Sequence, residues 1–168
     1  MRGGGELINL IRYGARPENL FGIDLLEDRI MEARSLHSCI NFSLGDASIL
    51  PYSDKYFDIV MQFTVFTSIL DKDMKKKIAE EMLRVLKPDG IILWYDYYVN
   101  NPRNPDVRGV KKKDIYELFP NCEIYLKRIT LAPPLARLIA SRSQLVCYIL
   151  EKLKIFNTHY IGIIKKKA

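Results

Sequence analysis

Gly3, Gly4 and Gly5 stand near the start of the sequence, and Asp24 follows 19 residues after Gly5. Glycine lets a backbone come close to a ligand, and a carboxylate accepts two hydrogen bonds from a vicinal diol. At this spacing a glycine turn lies against a nucleotide and an acid takes its ribose hydroxyls. A second acid, Asp46 in LGDA, has the chemistry to accept from an adenine amino group while the Ala47 backbone amide faces a ring nitrogen. Taken singly, Asp46 serves equally well as a turn residue. Further along, WYDYYVNNPRNPDVRG gathers Asp96, Tyr97, Asn100, Asn101 and Arg103, which supply donors and acceptors for a substrate in one stretch. Asp96 is either a base for a hydroxyl acceptor or a buried acid bonded to backbone, and the sequence favours neither.

Regular elements must place these side chains. The opening MRGGGELINLIRYGARP reads as a glycine turn and a short helix with Leu7, Leu10 and Ile11 on one face. NLFGID is a short strand ending in Asp24, LEDRIMEAR a second helix, and CINFSLGDA a second strand ending near Ser43. KYFDIVMQFTVF is apolar throughout, as suits a strand covered on both faces. Asp71 or Asp73 caps the next helix, in which Met74, Ile78, Met82 and Val85 recur at helical spacing before Pro88 and Gly90 turn the chain. IILWYDYY is the fourth strand, residues 99–110 a loop, KKKDIYELF a helix and CEIYLKRITL a fifth strand. The stretch after Pro134 places Leu135, Leu138, Ile139, Leu145, Val146, Ile149 and Leu153 on one helical stripe. Such a stripe faces the core more often than it forms a lid, a homodimer surface or a membrane-surface helix. THYIGIIKK closes the order as a sixth strand.

Strands alternating with helices imply an α/β fold with a doubly wound, mostly parallel sheet, because a parallel strand is reached by a crossover. The last strands leave room for an antiparallel member at one edge. No repeat or linker divides the chain, so residues 1–168 read as a single domain.

Composition excludes several classes. With 48% hydrophobic and 27% charged residues the chain is neither disordered nor fibrous. Cys39, Cys122 and Cys147 are odd in number and far apart, which argues against a disulfide framework or a metal knuckle and for a reducing cytoplasm. His37 and His159 lack a second ligand at metal spacing, so no metal is expected. No run approaches the ~20 apolar residues that cross a bilayer. The net charge of +6 derives partly from lysine triplets at 75–77, 111–113 and 165–167, which read as solvated faces without specific nucleic-acid binding.

GID at 22–24, GDASILPYSDKYFDIV at 45–60 and RVLKPDG at 84–90 together resemble the class I S-adenosylmethionine-dependent methyltransferases, most closely the type 11-like group. The resemblance covers roughly residues 3–98 and implies a Rossmann-like fold with S-adenosylmethionine as cofactor. It implies that Gly3, Gly4 and Gly5 line the cofactor, that Asp24 with Leu25 holds the ribose, that Asp46 and Ala47 hold the adenine, and that Gln62 and Phe63 flank the methionine end. Asp58 of FDIV is expected to be structural. The sequence also departs from the family's pattern. A strand ending in an acid and a fuller glycine loop normally precede the helix, and only GGG follows Met1 and Arg2. The first, central strand is therefore expected to be missing or truncated, through a shortened chain or a misplaced start, or to be replaced by a partner. Asp89 also stands where the family has glycine.

The activity implied is methyl transfer to a small molecule, sugar or lipid, since QFTV stands where an RNA-methylating relative would carry a motif such as NPPY. An NAD-dependent oxidoreductase shares the glycines and the ribose acid but has no need of FDIV and RVLKPDG. The other alternative is a truncated or non-catalytic binding subunit that kept the fold.

Overall fold

The computed structural model describes residues 5–102 and 104–167, so Gly3, Gly4 and Arg103 lie outside the described residues. The chain divides into two compact units, Met1–Tyr52 and Ser53–Ala168.

In the first unit, helix α1 (Gly5–Arg12) leads to strand β1 (Phe21–Asp24), helix α2 (Glu27–Leu36) and strand β2 (Asn41–Leu44). β1 and β2 pair in parallel, with Phe21 opposite Asn41 and Asp24 opposite Leu44. Leu20, Ile30, Ala33, Ile40 and Phe42 form the core, and Leu7, Leu10 and Ile11 of α1 pack against it, as their spacing predicts. The Arg34 guanidinium ties α2 to β2 by donating from Nε (3.1 Å) and Nη2 (2.7 Å) to the Phe42 carbonyl.

The second unit contains strand β3 (Phe57–Phe63), helix α3 (Lys72–Val85), strand β4 (Leu86–Tyr97) and helix α4 (Lys112–Leu118). Strand β5 (Cys122–Leu131), helices α5 (Pro133–Ala140) and α6 (Gln144–Leu153), and strand β6 (Asn157–Lys166) follow. These strands form one sheet in the order β3-β4-β6-β5, with β3 parallel to β4 and β6 antiparallel to both neighbours. The expected antiparallel strand is therefore one place in from the edge, threaded between β4 and β5. The Asp71 side chain caps α3, accepting from the amides of Asp73 (2.7 Å) and Met74 (2.9 Å).

Two elements differ from their sequence reading. The KPDG segment belongs to β4 and does not form a separate turn: the register against β3 jumps from Phe57–Leu86 to Ile59–Ile91, so the extra residues bulge out of the strand. Gly90 is required there, because a Cβ would lie 2.9 Å from the Asp58 carbonyl oxygen. The stripe after Pro134 is not one core helix. It breaks at residues 141–143 into α5 and α6, and neither helix has a buried residue.

From Gly90 onward β4 alternates in burial. Ile92, Trp94 and Asp96 are buried on one face, and Trp94 lies between Phe66 (ring centroids 4.8 Å apart) and Phe119 (6.1 Å). Leu93, Tyr95 and Tyr97 lie half-buried on the other face.

Candidate functional site

Asp24 is the last residue of β1 and is paired with Leu44, the last residue of β2, while Asp46 lies two positions past that end. The two acids thus leave the carboxyl ends of adjacent parallel strands, the place where open α/β sheets bind ligands. The Asp24 side chain is about one-third exposed. Its Oδ1 accepts from the Leu26 amide (3.0 Å), and its Oδ2 faces the Arg29 guanidinium at 3.5 Å. These contacts fix the carboxylate's orientation and leave lone pairs for a ligand, since an ionised carboxylate has roughly four acceptor sites. Leu25 beside it is 69% exposed, an apolar surface at the strand end. Asp46 is exposed, and its Oδ1 accepts from the Ser48 amide at 2.8 Å, which is the turn role that its residue type allowed. Ala47 is half-buried. Gly5 begins α1, and a Cβ there would meet nothing within 4 Å.

In the second unit, Gln62 lies near the carboxyl end of β3 and is 4% exposed. Its Oε1 accepts from the Val65 amide at 3.3 Å, whereas its Nε2 is buried with no hydrogen-bond partner. A buried amide donor left unmatched costs about 1–3 kcal/mol, so a ligand acceptor at this position would be favoured. Just beyond, Thr64 has φ of 55°, and its amide donates to the Tyr95 carbonyl, turning the chain sharply at the strand end.

Asp96 is 1% exposed, and its carboxylate accepts from the Thr67 amide (3.3 Å), the Thr67 hydroxyl and the Tyr97 amide (2.9 Å). Burial pushes its pKa up, and the hydrogen bonds from Thr67 and Tyr97 partly offset that. Of the two roles read for it, these bonds favour the acid held by backbone, because both oxygens are occupied in pinning the 3-10 turn Phe66–Ser68 to β4.

The loop after β4 closes on itself when Asn100 Oδ1 accepts from the Gly109 amide at 3.0 Å. Asn100 and Asn101, with Leu70, Asn104, Val107 and Arg108, line an open depression of about 400 Å³. Tyr97 points elsewhere, onto the His159 ring at 3.7 Å between centroids. His159 also stacks on Tyr95 (4.6 Å), which touches Phe63 (5.9 Å) and shares a hydrogen bond with Thr130 (3.0 Å). The result is an aromatic platform on one sheet face at the carboxyl ends of β3 and β4. His159 is 3% exposed, is bonded through Nδ1 to the Thr158 hydroxyl (2.9 Å), and has a pKa lowered by burial to about 4. The sequence reading weighed His159 only as a metal ligand. Its pairing with Tyr97 follows from the register of THYIGII against LWYDY, a long-range fact that local pattern does not carry.

Residues 2–94 match the family model described as a methyltransferase domain, a span that runs across both units. This chain belongs to the class I S-adenosylmethionine-dependent methyltransferase family. S-Adenosylmethionine is that family's cofactor. The chain is 32% identical over 126 residues to a demethylmenaquinone methyltransferase of Lactobacillus johnsonii, an alignment covering 71% of this chain and 49% of that one. It is 33% identical over 99 residues to the norajmaline N-methyltransferase of Rauvolfia serpentina, covering 55% and 33%. The chain thus spans half or less of the length of these relatives. A crystal structure of a SAM-dependent methyltransferase from Archaeoglobus fulgidus shares the fold, with a TM-score of 0.65 at 19% identity, over 98% of this chain and 80% of that one. At the end of β1 an oriented, part-exposed acid is followed by an exposed leucine, a set with acceptors for the hydroxyls of an adenosine cofactor.

Proposed function

We propose that this chain is the cofactor-binding body of an enzyme that transfers the methyl group of S-adenosylmethionine to a small ring-containing acceptor, of the kind met in quinone biosynthesis. The observation that carries the cofactor half is the emergence of Asp24 and Asp46 from the ends of neighbouring parallel strands. In this reading Asp24 accepts from the ribose hydroxyls, Leu25 covers an apolar face, and Asp46 with the Ala47 amide meets the adenine. Gly3, Gly4 and Gly5 let the backbone approach the ligand. Gln62 offers its unmatched Nε2 to a carboxylate acceptor, and Phe63 packs beside it. Bound S-adenosylmethionine supplies a methyl group already activated by a positive sulfur, so the protein's task is chiefly alignment.

For the acceptor, the part-buried rings of Phe63, Tyr95 and Tyr97, packed over the buried His159, offer flat faces suited to a ring. His159 is neutral near pH 7 and so puts no charge behind those rings. A relative named for demethylmenaquinone supports a ring acceptor over a sugar. Asn100, Asn101 and Arg103 are assigned to the acceptor's polar groups, the first two through the depression they line.

The test is calorimetry with S-adenosylhomocysteine and, separately, NAD. Binding of the first alone is expected. Preference for NAD would convert the reading to an oxidoreductase, and binding of neither would leave a subunit without cofactor.

A further inference from the structure

The pair α5 and α6 is built unlike the other helices of the second unit. α3 buries Ile78, Ala79, Met82 and Val85, and α4 buries Ile115, whereas no residue of α5 or α6 is more than part-buried. On α6 the exposed residues Leu145 (68% exposed), Val146, Ile149 and Leu153 recur at positions that share one side of a helix. Leu138 of α5 and, just after α6, Ile155 (70%) and Phe156 are exposed as well. Apolar residues gathered this densely on a surface mark an interaction site.

Charge decides what kind. Residues 132–156 carry Arg137, Arg142, Lys152 and Lys154, all exposed, against the single acid Glu151. Glu151 is already engaged, its Oε1 accepting from the Thr130 amide at 2.9 Å. Exposed Lys127 and Arg128 of β5 add to the same rim, lining with Tyr148, Lys152 and Lys154 a depression of about 260 Å³. The Lys152 ammonium lies 5.2 Å from the Tyr148 ring centroid, so this cation is held against an aromatic face at the rim. An apolar helical face bordered by cations with almost no anions complements the headgroup and outer acyl layer of an anionic bilayer. A second copy of this chain would bring the same cations against one another. No helix among the described residues is long and apolar enough to cross a membrane, so the contact is one of lying on the surface.

We infer that α5 and α6 form a docking face for an anionic lipid surface, with Leu145, Ile149 and Leu153 entering the headgroup layer and Lys152 and Lys154 meeting lipid phosphates. The inference concerns a surface distinct from the proposed cofactor residues and stands whether or not methyl transfer is found. The experiment is flotation of the full chain with vesicles of phosphatidylcholine alone or with phosphatidylglycerol added. The chain is expected to float with the anionic vesicles at least about tenfold better than with the neutral ones, and less well in high salt. I149E/L153E and K152E/K154E should each lower that binding about tenfold while circular dichroism and S-adenosylhomocysteine affinity stay unchanged. Three results would overturn the inference: no flotation, flotation that ignores lipid charge and both variants, or a dimer in ultracentrifugation that I149E/L153E abolishes while vesicles go unbound.

Discussion

Asp24 and Asp96 both sit at the carboxyl ends of strands, yet their surroundings are opposite. Asp24 holds one backbone amide and one long contact to Arg29, with a third of its side chain in solvent. Asp96 is sealed in and takes donors from Thr67 and Tyr97 on both oxygens. Position alone therefore does not make a strand-end acid a ligand group. What separates the two is whether lone pairs remain after the fold has used its share, and that is decided by residues distant in sequence, such as Thr67.

The contrast predicts a division of effects. Asp96→Ala strands the Thr67 and Tyr97 donors in the core and should cost about 3 kcal/mol of stability in urea denaturation. Asp24→Ala should leave stability within about 1 kcal/mol and weaken S-adenosylhomocysteine binding by about 1–3 kcal/mol in calorimetry. Should the two variants exchange phenotypes, the comparison fails.

Buried titration sharpens it further. His159 has a folded pKa of about 4 against an ordinary 6.5, so its contribution to stability is complete above 6.5 and is lost as pH falls towards 4. A loss of more than about 1 kcal/mol across that window, absent in His159→Gln, is the expected outcome of denaturation at stepped pH. Asp96 acts in the reverse sense. Its pKa is raised by burial, so its contribution is full below the unfolded value near 3.8 and fades as pH rises through its folded pKa, a trend that Asp96→Asn should flatten. The smallest effect is expected at Asp46, exposed and serving a turn, where Ala should lower analogue affinity by less than about 1 kcal/mol.

Much of this was legible in the sequence. The core positions Ile78, Met82 and Val85, a helix cap at Asp71 or Asp73 and the span of β5 all follow from local pattern, because each depends on neighbours within a few residues. Legibility stopped where partners are remote. The alternation of LWYDY shows that Tyr95 and Tyr97 share a face, but not that His159 would stack on them. Residues 144–153 have the periodicity of a core helix, and periodicity cannot say whether an apolar stripe faces protein or something else. KPDG has turn residues, and it did turn, but as a bulge inside β4. Among the proposed cofactor residues, the acids announced themselves by spacing. The unmatched amide of Gln62 did not, since a buried orphan is visible only once its surroundings are built.

β6 is the last strand in sequence, yet it occupies an interior lane of its sheet. During synthesis β4 and β5 therefore emerge with no ladder between them and must wait for residues 157–166, which give β4 its second neighbour and β5 its first. A ribosome-bound chain halted before residue 157 would hold two unzipped edges rich in tyrosine and isoleucine, ready templates for off-pathway association. Shortening the chain by this one segment should thus unravel half of the second unit, an outcome out of proportion to the length removed.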